Sequence, residues 1–145
     1  MATLEQIETR GAWSDRFRTP SMDDLLGPLP RAARTAMVHA SATLTTARGF
    51  TESLRWHGVW KWSCSYESPA ATERAAAYLI PDPQRPRLCV PVCSSAAAML
   101  QTRSTPAFIR HALESCPVVD GVHWPIWQVE GKQMINELFA AVLPG

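Results

Sequence analysis

Apolar and polar positions alternate most cleanly at Val59–Glu67, where Trp60, Trp62, Cys64 and Tyr66 fall on one side of an extended chain and Lys61, Ser63, Ser65 and Glu67 on the other. The pattern predicts a half-buried strand whose polar side meets water. Its aromatic rings, each burying about 150–250 Å², need a helical layer, a partner or a ligand over them. Phe50–His57 supplies the preceding strand, with a hairpin turn at His57-Gly58 where glycine provides the positive φ of a tight turn. After the polar connection Ser68–Arg74, Ala75–Pro81 and Arg87–Val92 continue as a third and a fourth strand around a rigid, proline-rich turn. Pro91 has no N–H to donate, so either its amide position faces away from the neighbouring strand or the strand ends at Val90.

Helical periodicity flanks this run. Ser21 reads as the N-cap of SMDDLL, with Asp23 and Asp24 in the first turn and Gly27-Pro28 as the stop. From Pro30 to Gly49 the stripe Ala33, Met37, Ala40, Leu44, with Ala36 beside it, predicts a helix that approaches a sheet closely. Ser94 or Ser95 caps an alanine-rich helix reaching about Gln101, and Pro106 opens another that carries Phe108, Ile109, Ala112 and Leu113. Val122–Val129 is a last strand, placed at an edge by Pro125, and Gly131–Val142 a closing helix with Met134, Ile135, Leu138, Phe139 and Val142 inward. This order predicts an α+β fold: a four- to five-stranded, mainly antiparallel sheet with helices packed on one face. Residues 1–20 read as an N-terminal arm and 21–145 as a single domain. Trp13 and Phe17, four apart, are expected to dock on that domain or on a second copy.

At 145 residues one domain with its own core is expected. A formal charge of +1 with no basic run argues against nucleic acid as a partner. No window reaches the roughly 18 apolar residues of a membrane span, and MATLEQIETRGAW is not a secretory signal. A cytoplasmic protein is expected, with Cys64, Cys89, Cys93 and Cys116 as reduced thiols. The spacing of Cys89 and Cys93 does not match a zinc pattern, so neither a metal nor a cofactor is expected.

The leading candidate site is an aromatic pocket formed by Trp56, Trp60, Trp62, Tyr66 and Tyr78, closed by Trp124 or Trp127, with Arg55, Glu52 or Lys61 at its mouth. Such a cluster would hold a flat or cationic small molecule by stacking and cation–π contact. The same residues are equally what a sealed core or a homodimer face looks like. A second candidate is a nucleophilic site, Cys64 or Cys89 with His57 or His123 and an acid such as Glu52 or Asp120. It lacks a local signature, since there is no G-x-S-x-G and no cysteine at an evident helix start. His57 and His123 are expected to be exposed. Non-catalytic binding of a small organic ligand or a partner protein is the function these residues favour; a small enzyme with a Cys/His or acid/base site and a structural homodimer are the alternatives.

The succession LRWHGVWKWSCSY, AAAYLIPDPQRPRLCVPV, a helical pair, and GVHWPIWQVEGKQMINELF resembles the uncharacterised bacterial DUF3788 family and, more distantly, the DUF1801 or YdhG-like group. The likeness covers about residues 30–143. It implies a compact YdhG-like α+β domain with no assigned activity. Some YdhG-like relatives have been proposed as iron chaperones, a role needing an acidic surface that this sequence lacks.

Overall fold

The computed structural model describes residues 11–70 and 74–143. One turn of helix, α1 (Gly11–Ser14), precedes α2 (Met22–Leu26), whose start is set by a capping box. Ser21 Oγ accepts the Asp24 N–H at 3.1 Å and the Asp24 carboxylate accepts the Ser21 N–H at 3.0 Å. Those bonds hold the Asp24 carboxyl below the usual carboxylate range. Helix α3 (Arg31–Ala42) runs into one π-helical turn, Thr43–Ala47, where the Thr43 and Thr45 hydroxyls donate back to the carbonyls of His39 and Ser41. The stripe Ala33, Ala36, Met37, Ala40, Leu44 is buried, as its spacing requires.

The main sheet is antiparallel throughout, in the order β1 (Thr51–Trp56), β2 (Trp62–Glu67), β3 (Ala77–Ile80), β4 (Arg87–Cys89), β8 (Ile126–Gln128). Its register puts Leu54, Cys64 and Leu79 on one face, together with Tyr66, Ala77, Leu88 and Trp127. Over that face lie Met37 of α3, Ile109 of α5 (Ala107–Ser115) and Ile135, Leu138 and Phe139 of α6 (Lys132–Val142). The chain is therefore α+β, with its helices in one layer over the sheet.

A smaller sheet, in the order β5 (Val92–Cys93), β7 (Val122–His123), β6 (Val118–Val119), departs from the expected strands. The segments read as single strands over Arg87–Val92 and Val122–Val129 are each cut in two, at Val90-Pro91 and at Trp124-Pro125. Cys89 pairs with Ile126 on one side of the cut and Val92 with His123 on the other, so the register is unchanged across it. Pro91 and Pro125 lack the N–H that a ladder needs, and the Trp124 N–H turns away to the Pro117 carbonyl at 3.0 Å. The two sheets are one long ribbon creased at a pair of prolines. The edge position expected of the last strand holds for β8, the end of the main sheet, and fails for β7, which is central in the small one. Cys93, and neither Ser94 nor Ser95, is the N-cap of α4 (Ser94–Met99).

A second buried cluster, Trp13, Leu25, Trp62 and Ile80, joins the N-terminal segment to the end of the sheet. Trp13 Nε1 donates to the Trp60 carbonyl at 3.1 Å and Trp62 Nε1 to the Asp15 carbonyl at 2.7 Å. Trp13 docks as expected and Phe17 does not, being 96% exposed. These contacts cross the boundary drawn at residue 20; residues 1–10 of the arm lie outside the described residues. The polar side of β2 is also not open to water: Ser63 is fully buried, its Oγ donating to the Trp60 carbonyl at 2.7 Å, because the loop before β2 folds back over it.

Candidate functional site

The decisive local structure is the loop between β1 and β2. Trp56 pairs with Trp62, leaving His57–Lys61 to make the turn, and the His57 N–H closes it on the Lys61 carbonyl at 2.8 Å. Gly58, at φ +59, opens a single 3₁₀ turn through Trp60, and Lys61 ends it at φ +53, ψ −136. A non-glycine residue there costs on the order of 1–3 kcal/mol. The side chain holds it there: the Lys61 ammonium lies 4.7 Å from the centre of the Trp13 ring and 3.5 Å from Ser14 Oγ.

The Lys61 conformation breaks the alternation that the sequence shows. Trp60 is not a strand residue, and its ring leaves the side on which Trp62, Cys64 and Tyr66 lie. It packs 5.3 Å from Tyr78, which pairs with Ser65 and so stands on the opposite face. Tyr78 also meets His57 at 5.8 Å and Trp124 at 6.2 Å. His57 Nδ1 is buried there without a hydrogen-bond partner among the described residues, contrary to the expected exposed imidazole.

The expected aromatic pocket is thus divided by the sheet. Trp56 and Trp62 meet edge to face at 5.8 Å on the helix-covered side, where Tyr66 is fully buried. Tyr66 Oη donates to Glu52 Oε2 at 2.6 Å, and Ser41 Oγ donates to the same oxygen at 2.6 Å. Glu52 therefore tethers a core phenol to α3 and guards no pocket mouth. Burial, with that bond, pushes the Tyr66 phenol far above its usual range. Trp127 is buried at 5% exposure, its Nε1 tied to the Phe108 carbonyl at 3.1 Å. Trp60, Tyr78 and Trp124 remain together on the other face. Arg55, an exposed residue of β1, alternates to that side as well.

Beside Trp60 a groove of about 710 Å³ opens between α1, the loop tip and the β3–β4 turn. Trp13 and Trp60 give it two indole walls, and Lys61, Arg85 and Arg87 three cations against one acid, Asp82. Asp82 Oδ2 holds Arg87 at 3.3 Å and Asp82 Oδ1 accepts the Gln84 N–H at 3.0 Å, while the Arg87 Nε–H donates to the Arg85 carbonyl at 3.2 Å. The turn is thereby pre-set, and Pro81, Pro83 and Pro86 stiffen it. Sequence reasoning placed Lys61 at a mouth but missed Trp13, Arg85 and Arg87 as lining. The one available signal was two arginines inside the proline-framed PDPQRPR.

The cysteine proposal also changes. Cys64 and Cys89 are fully buried and burial pushes each thiol up to about 12, which removes both as nucleophiles. Cys93, exposed at the start of α4, is held below its usual value by the Ser95 hydroxyl and the Ala96 N–H, so a cysteine at a helix start does exist. The cysteine that meets a histidine is Cys116, its Sγ 3.8 Å from His123 Nδ1. Among the described residues no three His, Cys, Asp or Glu side chains converge as metal ligands, and no helix is long and apolar enough to cross a membrane.

Comparisons with protein families, curated proteins and solved structures found no match.

Proposed function

We propose that the chain is a binding module for a small organic anion carrying a flat ring, taken up in the groove between Trp13 and Trp60. The observation that carries this reading is the joint lining: two indole walls with Lys61, Arg85 and Arg87 around one space. The partly exposed Trp60 indole can stack on a flat ring, the buried Trp13 with Lys61 over its face backs the groove, and three cations beside one acid favour a carboxylate or phosphate. The turn that supplies the arginines is ordered by its own hydrogen bonds, so little freedom is lost on binding. Strain at Lys61, held beside the groove, fits the same reading.

The test is titration of tryptophan emission, with calorimetry in parallel, against aromatic carboxylates and nucleoside monophosphates. Saturable quenching is expected, weakened about tenfold by Arg85→Ala, the loss of one charge-assisted hydrogen bond. Absence of both heat and emission change up to millimolar concentrations would sink the reading. Four unpaired cysteines support a reducing, cytoplasmic setting for such a module. The DUF3788 resemblance, which brings no activity with it, neither adds to this reading nor subtracts from it.

One observation favours a small enzyme instead. The Cys116–His123 contact lies against a hollow of about 360 Å³ lined by His123, Glu114, Gln101 and Ser94. Iodoacetamide at neutral pH separates the two. An activated Cys116 is alkylated ahead of Cys93 and slowed by His123→Ala, whereas a structural one is alkylated after it.

A further inference from the structure

Phe17 is the most exposed of the large apolar side chains among the described residues, yet its backbone is not loose. Asp15 Oδ1 accepts the Phe17 N–H at 3.1 Å, and the Asp15 carbonyl is held by Trp62 Nε1 at 2.7 Å. Just upstream, Trp13 is buried and hydrogen-bonded to the loop after β1. The turn is pinned, so the ring stands in water with its backbone already ordered, which lowers the cost of burying it against another molecule. Arg16 and Arg18 flank it, both exposed, and neither forms an ion pair among the described residues.

A complementary surface lies at the free edge of the main sheet. Beside β8 a groove of about 540 Å³ has an apolar floor of Phe108, Trp127 and Met134 and carries the carboxylates of Glu130 and Glu137; no cation lines it. The Trp127–Phe108 hydrogen bond fixes the floor. Glu130 and Glu137 are exposed and, among the described residues, form no ion pair. Within one molecule the Phe17 turn is tied to β2, three strands from β8, a span of roughly 14 Å at ordinary strand spacing.

We infer that the chain self-associates by seating Phe17 of one copy in the β8 groove of another, with Arg16 and Arg18 facing Glu130 and Glu137. The occupant is a second copy because this chain itself carries the matching piece: one aromatic anchor between two cations, for an apolar floor with two acids. Aromatic anchors in pockets with charged rims are how small interfaces concentrate their binding energy. The contact joins two unlike surfaces, so it closes when each copy serves the other and otherwise propagates. It uses none of the residues lining the Trp13–Trp60 groove, and it stands or falls apart from the ligand reading.

Sedimentation velocity of the full chain over a concentration series tests it, with circular dichroism to confirm that each variant is folded. Association is expected to weaken as salt is raised. Phe17→Ala and the pair Glu130→Arg/Glu137→Arg should each raise the dissociation constant at least tenfold. Adding Arg16→Glu/Arg18→Glu to the Glu130→Arg/Glu137→Arg chain should restore association. A wild-type chain that stays monomeric at every concentration overturns the inference and leaves the groove to a cationic partner of another kind. Association that survives Phe17→Ala, or reversed charges that fail to restore it, overturns it equally.

Discussion

His57 sits where the first hairpin leaves the sheet, edge-on to Tyr78 and with a buried Nδ1 that has no hydrogen-bond partner among the described residues. Burial lowers its pKa, and the charge of Arg55 lowers it further, while the Arg55 backbone works the other way. The folded chain therefore prefers the neutral imidazole. Below about pH 6.5, the value of an unperturbed histidine, the unfolded chain takes up a proton that the folded site resists. The contribution of this group is present above that pH and is lost as pH falls through the lower folded pKa. Urea midpoints from pH 7.5 to 5 are expected to drop more for the wild type than for His57→Gln; equal slopes would contradict it. At this scale the sequence was misleading at one residue. Trp60, Trp62, Cys64 and Tyr66 alternate perfectly as letters, but Lys61 adopts a positive φ that no pattern of hydrophobicity encodes, and Trp60 ends up across the sheet from the other three.

Between elements, the turns decide what the strands can do. Asp120 at φ +50 and Gly121 at φ +75 join β6 to β7 as a two-residue hairpin with both central residues left-handed, the geometry for which Asp-Gly is favoured. The Gly121 carbonyl also accepts the Ser94 N–H at 2.9 Å and the Ser94 hydroxyl at 3.1 Å, which anchors the start of α4. Nothing lies within 4 Å of where a Cβ on Gly121 would sit, so Gly121→Ala should cost about 1 kcal/mol, all of it backbone conformation. Gly131, the N-cap of α6, has the same open space but extended backbone, at φ −176, so Gly131→Ala should cost only the cap preference, about 0.5 kcal/mol. Equal effects in chemical denaturation would refute that account. The helices were legible because stripes such as Ala33, Met37, Ala40 and Leu44 fit only one periodicity. The two broken strands were not, because a proline announces a lost donor without saying whether pairing resumes beyond it.

For the molecule as a whole, the segment over residues 11–20 is part of the folded unit. Trp13 fills a cluster with Leu25, Trp62 and Ile80, and deleting residues 1–20 would uncover all three. The deletion is expected to cost roughly 3 kcal/mol, in the range of a buried tryptophan removed, with Trp13→Ala alone accounting for most of it. A truncated chain as stable as the full one would remove the N-terminal segment from the folded unit. The α+β architecture could be read from the order of strands and helices. The Trp13–Trp60 groove could not, since it is assembled from α1, the loop after β1 and the β3–β4 turn, which are far apart in sequence and meet only in the folded chain.

The paired prolines of the creased ribbon give this architecture a permanent seam. Neither Pro91 nor Pro125 can supply an amide hydrogen, so the gap cannot be closed by any local rearrangement of the backbone. The small sheet and the helix start it braces are therefore expected to exchange their amide protons ahead of β1–β4, a difference that hydrogen exchange would read. Cys116, His123 and the hollow beside them lie on the small-sheet side of that seam.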